Sequence, residues 1–228
     1  MAQSRRPHSV FRRWLVRLAL WLLSLCVLWW WLGGSDWYLR MLSLLADATL
    51  PHWVFDDVQE IVWWGNQNWQ VRTQLRIVNT PESLVVFLTK DRLTHIVLGF
   101  PLLWALLLAT TGPKKLRLVL GTLLLTVLSL LGVAAHLWAY LAVVLNHRAS
   151  VIDENLVPPA FTVMATAYPD WLFHLSSFAY YLAAIVVPLI APVLIWVLLC
   201  PRGIMGLMVS LRRNALLGRS KVIQQTHS

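Results

Sequence analysis

A chain of 228 residues with 58% hydrophobic residues, 13% charged residues and a mean hydropathy of +0.64 is too apolar for an ordinary soluble domain, so its class is polytopic membrane protein. The formal net charge of +9 does not point to nucleic acid, because the basic residues are split among segments separated by apolar runs and form no single face with interleaved aromatics. Cys26 and Cys200 lie within or at the end of apolar runs, far apart and without metal spacing, which predicts buried thiols and no disulfide.

Residues 1–13 form a basic N-terminus with Arg5, Arg6, Arg12 and Arg13, and Arg17 follows inside the first turns of an apolar run over 14–32. The run ends on Trp29, Trp30, Trp31 and Leu32 ahead of Gly33-Gly34, without the small-residue cleavage pattern of a signal peptide. It is expected to persist as a first transmembrane helix, basic end inside and tryptophans at the outer interface.

Residues 33–92 are mixed in composition and are expected to form an outer segment. Asp36, Arg40, Ser43 and Asp47 recur every three or four positions among Trp37, Leu39, Leu42, Leu44 and Leu45, which predicts an amphipathic helix lying in the interface until Pro51. Val54, Phe55, Val58, Ile61 and Val62 repeat that spacing, with Asp56, Asp57 and Glu60 as a wet face, and predict a second amphipathic helix. After a turn at Gly65-Asn66, Trp69, Val71, Thr73, Leu75 and Ile77 alternate with Gln70, Arg72, Gln74 and Arg76, the period of a half-buried strand. One strand is not stable alone, so its partner is expected either in the region of 61–64 or in another protein. Thr80-Pro81-Glu82 has the form of a helix start, with Thr80 as N-cap and Pro81 in the first helical position.

Residues 93–110 carry His95 as the only group that can charge and span about 27 Å as a helix, close to the thickness of a bilayer core. The hinge at 111–117 holds Lys114, Lys115 and Arg117, too short a turn to hide three cations, which places it in the cytoplasm. Residues 118–145 form the third predicted span, whose first half offers only Thr122, Thr126 and Ser129, hydroxyls able to bond their own helix backbone. A second outer loop is predicted over 146–176, with Asp153, Glu154, Asp170 and the breaks Pro158-Pro159 and Pro169. The last span covers 177–199, and a tail over 200–228 carries Arg202, Arg212, Arg213, Arg219 and Lys221. All 10 acidic residues fall in the two outer segments, while the N-terminus, hinge and tail are basic, so both termini are expected in the cytoplasm. The fold class is thus an all-α polytopic membrane protein with four spans and a small mixed outer segment.

His95, His136, His147 and His174 fall toward the outer ends of helices or in the outer loop, where they could converge on a metal or a proton site; lacking motif spacing, they read better as interfacial anchors. An activated nucleophile is not in view: Cys200 neighbours Arg202, but no histidine belongs to that end of any helix, and Cys26 lies within the first span. Glycine-rich phosphate loops and paired His-Glu motifs are missing from the sequence, which predicts neither cofactor nor metal. In the last span Pro188 and Pro192 remove the backbone donors to the carbonyls of Ala184 and Pro188, which predicts a kink. Ala184, Pro188, Ala191 and Pro192 share a face with small side chains and form a candidate partner-docking surface.

Two stretches, LGFPLLWALLLA over 98–109 and YYLAAIVVPLIAPVLIW over 180–196, together with the length, the four-helix layout and the outer segment before the second span, resemble the membrane proteins associated with exosortase H. The resemblance implies a bacterial inner-membrane accessory protein beside a multi-pass sorting enzyme that cleaves and transfers proteins with a cysteine, an arginine and a histidine at the outer face. This chain has no cysteine in its outer segments, so the resemblance implies that it assists that chemistry and does not perform it. The competing reading is a small subunit of a transporter or channel, which would need polar residues lining a path, and the predicted spans offer little beyond hydroxyls.

Overall fold

The computed structural model describes residues 8–53, 57–65, 68–112, 114–150, 153, 156–157 and 159–201. Among the described residues, four helices are long and apolar enough to cross a membrane: Phe11–Trp31, Lys90–Ala109, Lys114–Asn146 and Asp170–Leu199. The first lies within α1 (His8–Trp31) and leads, through a turn at Gly33 with φ 61°, into α2 (Gly34–Trp53). The amphipathic helix before Pro51 is therefore present. Its polar stripe, however, faces protein: Asp47 Oδ1 accepts the Ile61 N–H at 2.7 Å, Arg40 lies 5.5 Å above the Trp63 ring, and Ser43 is buried. Trp37 and Leu44 are exposed in its place, as suits a helix bathed in lipid on one side.

The fold is not all-α. An antiparallel sheet, order β1-β2-β3, is built from β1 (Val58–Trp64), β2 (Asn68–Arg76) and β3 (Ser83–Thr89). The predicted strand is β2, and its alternation places Trp69, Val71, Thr73 and Leu75 inside. Both of its partners lie in this chain. Where a second amphipathic helix is expected from Val58, Ile61 and Val62, the structure has β1; residues 54–56 lie outside the described ones. A register shift between Val58 and Glu60 explains the difference, because a bulge lets Val58 and Ile61 point to the same side although they are three apart, which imitates helical spacing.

The helix start expected at Thr80-Pro81-Glu82 is likewise a turn leading into β3. Asn79 adopts φ 66°, the Ile77 N–H donates to the Glu82 carbonyl at 3.2 Å, and Leu84, Val86 and Leu88 alternate inward. Val85, Val86 and Phe87 favour a pleated strand over a helix once a neighbouring strand can receive them. Residues 162–164 extend the sheet: Ile77 bridges Val163, the Val78 N–H donates to the Thr162 carbonyl at 2.9 Å, and the Met164 N–H to the Arg76 carbonyl at 2.7 Å.

The second span is two helices, α3 (Lys90–Val97) and α4 (Gly99–Ala109), that meet at Leu98. Pro101 cannot donate to the Val97 carbonyl, and the ladder breaks there. α5 (Lys114–Asn146) is unbroken. α6 (Asp170–Ile185) runs through a π-helical turn, Val186–Ile190, into α7 (Ala191–Leu199), so the two prolines of the predicted kink coincide with a widened turn. The helices also reach beyond the predicted spans, α5 starting at Lys114 and α6 at Asp170. Within the bundle Trp29 stacks on Phe100 at 6.2 Å and meets Trp104 edge-on at 5.7 Å, and the Trp196 Nε1–H donates to Thr110 Oγ1 at 2.8 Å.

Candidate functional site

The polar residues of the bundle gather where α3, α5 and α6 meet near the sheet. On α3, Arg92 and His95 are three apart and share a face; on α5, His136 and Tyr140 are four apart; on α6, Ser177 and Tyr180 are three apart. Each pair follows from helical spacing in an otherwise apolar segment, and packing of the three helices brings them together. The His95 and His136 rings lie 6.1 Å apart, and His136, only 1% exposed, meets the Tyr180 ring edge-on at 4.3 Å. The Tyr180 hydroxyl donates to Asp153 Oδ2 at 2.5 Å, which ties the second outer loop to the bundle. Arg92 and Asp153 bring opposite charges within electrostatic reach of His136. His95 Nε2, His136 Nε2 and Ser177 Oγ are buried without a hydrogen-bond partner among the described residues.

Two of the four histidines considered from the sequence thus converge and two do not. His147 sits exposed with φ 49°, and His174 is exposed beside Phe173. No cluster of three metal-ligating groups occurs among the described residues. What the arrangement offers is a run of exchangeable groups, imidazole to phenol to carboxylate, leading from the bundle interior to the half-buried Asp153. Tyr140, Ser177 and Tyr180 were not singled out by sequence reasoning about histidines, although their three- and four-residue spacing on apolar helices is the signal that finds them.

The loop bearing Asp153 is fastened at several points. The Asn146 side chain brackets the Tyr168 backbone, donating to its carbonyl at 2.6 Å and accepting its N–H at 3.2 Å, and Arg148 pairs with Asp170 at 2.6 Å. Burial pushes the Tyr168 phenol above its ordinary range, and the Asp57 charge adds to that shift. Tyr180→Phe is expected to remove one charge-assisted bond and lower stability by about 1.5–3 kcal/mol, with faster protease cleavage between 146 and 170. Wild-type cleavage would show that Tyr180 does not hold the loop.

Of the candidate docking residues, Pro188, Ala191 and Pro192 are buried against this chain's own helices and Ala184 is half-buried. Pro188 and Pro192 receive Gly99: a Cβ added there would lie 3.1 Å from Pro192 Cγ and from the Val187 carbonyl oxygen, and 3.2 Å from that of Pro188. The outward side of the helix is formed by Leu189, Ile190, Val193 and Leu194. The cysteines stand apart from the histidines. Cys26 is exposed on α1, not buried as expected, and Cys200 is buried just past α7, where burial raises its thiol pKa against the opposing effect of Arg117.

Neither a curated protein nor a solved structure matches the chain. Residues 8–203 match a family described as exosortase H-associated membrane protein, a match that takes in all four apolar helices, the sheet and the buried histidine pair. The chain belongs to the exosortase H-associated membrane proteins.

Proposed function

We propose that this protein is a non-catalytic accessory subunit of an exosortase H protein-sorting system in the bacterial inner membrane, bound to the multi-pass enzyme itself. The family match over 8–203 carries the reading. The placement of thiols supports it: α1 presents Cys26 to the surroundings and Cys200 lies past the far end of α7, so neither adjoins His95 or His136 to be activated. Charge supports the orientation. Arg12, Arg13 and Arg17 begin α1 and Lys114, Lys115 and Arg117 begin α5, whereas Asp36, Asp153 and Asp170 lie with the sheet and outer loops; the excess of Lys and Arg belongs on the cytoplasmic side. The sheet then stands in the periplasm, where sorted proteins are processed.

A strain lacking this chain should accumulate unprocessed sorted proteins while exosortase H remains present. The doubly substituted Cys26→Ala, Cys200→Ala chain should restore processing, and affinity purification of the chain should recover the enzyme. Normal processing in the deletion strain would overturn the accessory role, and failure of the cysteine-free chain at wild-type abundance would overturn its non-catalytic character.

A further inference from the structure

An apolar groove of about 860 Å³ runs between α1 and α5 across α4, with α2 closing one end. Its walls include Leu25 of α1, Met41 and Leu45 of α2, Trp104 of α4, and Leu123 and Val127 of α5. The two threonines that line it have their hydroxyls engaged. Thr122 Oγ1 accepts the Trp104 Nε1–H at 2.9 Å; Thr126 Oγ1 donates to the Thr122 carbonyl at 2.8 Å and pairs with the Tyr38 hydroxyl at 2.6 Å. The groove therefore presents no spare polar handle. Its lining holds no glycine, alanine or serine, and its two threonines are already bonded within the chain. Association of helices within lipid depends on small residues that admit a backbone and on hydrogen bonds between helices. These walls offer two threonines whose hydroxyls are engaged and otherwise only bulky side chains, whereas a flexible hydrocarbon chain needs only apolar surface.

The charge at the other end of the groove selects the kind of hydrocarbon. On α5, Lys114 precedes Leu118 by four residues and Lys115 precedes Val119 by four, so both cations share the groove's face one turn beyond its last apolar residues. Both are exposed. Arg117, by contrast, is turned back onto the Thr111 carbonyl at 3.2 Å. Basic groups placed where an apolar groove between spans meets the membrane surface suit an anionic headgroup.

We propose that the groove between α1 and α5 binds one anionic glycerophospholipid, an acyl chain lying along Leu123 and Val127 and the phosphate meeting Lys114 and Lys115. The proposal does not depend on the accessory reading or on which leaflet the lysines face.

The full chain would be reconstituted in nanodiscs of equal parts phosphatidylcholine and phosphatidylglycerol, released into mild detergent and weighed intact by native mass spectrometry. Wild type should retain phosphatidylglycerol in preference to phosphatidylcholine. Lys114→Gln with Lys115→Gln should lower that preference by on the order of 25-fold, about fivefold for each cation at the surface. Leu123 is 57% exposed, so Leu123→Trp adds bulk to the groove without disturbing a buried contact, and it should abolish retention of either lipid. Leu194→Trp, on the exposed side of α7, should retain lipid as wild type does. Equal retention of the two lipids by wild type, or undiminished retention by Leu123→Trp, would overturn the proposal. So would a photo-crosslinker at position 123 that, in native membranes, captures a protein or a second copy of this chain in place of a lipid.

Discussion

Gly99→Val is expected to be among the most damaging single substitutions in the bundle, lowering stability by about 3 kcal/mol, the upper end of the ordinary range for an overpacked interior. The Cβ alone would stand 3.1 Å from the Val187 carbonyl oxygen and 3.2 Å from that of Pro188, and these are backbone atoms of the π-helical turn with no rotamer to change. Pro192, at 3.1 Å, is a rigid ring. Two further methyl groups have nowhere to go unless α4 parts from α7. The contrast is Gly132→Ala on α5, whose Cβ would meet Val187 Cγ2 at 3.4 Å, an ordinary contact, and which should be neutral or gain up to about 1 kcal/mol from helix propensity. Thermal unfolding in detergent followed by size-exclusion chromatography compares the two. Equal melting of Gly99→Val and wild type would show that α4 and the π turn do not meet as closely as described.

The second large effect is expected in the sheet. Trp69 is wholly buried on the central strand, opposite Trp63 on β1 and Leu88 on β3. Trp69→Ala should cost about 3–5 kcal/mol, a large share of the stability of any domain. Because the lost contacts lie outside the spans, the expected outcome is selective: protease should cut between 58 and 89 while fragments containing the four apolar helices stay intact. Trp64→Ala, at an exposed site on β1, should change cleavage little. If Trp69→Ala is cut no faster than Trp64→Ala, the sheet draws its stability from elsewhere.

The four apolar helices were legible in the sequence because hydrocarbon imposes a simple condition, a long apolar run with its backbone bonds satisfied internally. The amphipathic helix and β2 were legible because their periods are unbroken. β1 was not, since a bulge gave it the spacing of a helix, and β3 was not, since Thr80 and Pro81 announce a helix by the same chemistry that makes a turn. The polar stripe of α2 read as that of an interfacial amphipathic helix because Arg40, Ser43 and Asp47 give no hint that a strand will take up their contacts. The histidine pair lay half in view. His136 could be noticed with the other histidines at helix ends, but its neighbours come from three helices and a loop, and only packing shows that His95 joins it while His147 and His174 do not. The prolines of the last span were legible as a candidate partner-docking face; that Gly99 of the same chain approaches Pro188 and Pro192 is a tertiary fact.

The bridge from Ile77 to Val163 bears on how the protein is made. β2 emerges early from the ribosome, yet Arg76 at its end and Val78 just past it find hydrogen-bond partners in Met164 and Thr162, and these follow only after two further apolar helices have been synthesised. Tyr38 similarly waits for Thr126. The sheet layer therefore closes late, after α5 and the segment beyond it have been delivered, and until then it is incomplete and of high contact order. A ribosome-bound chain halted before residue 160 should hold the sheet in a state open to protease, which makes synthesis of the third apolar helix and the segment after it the event that times completion of the sheet.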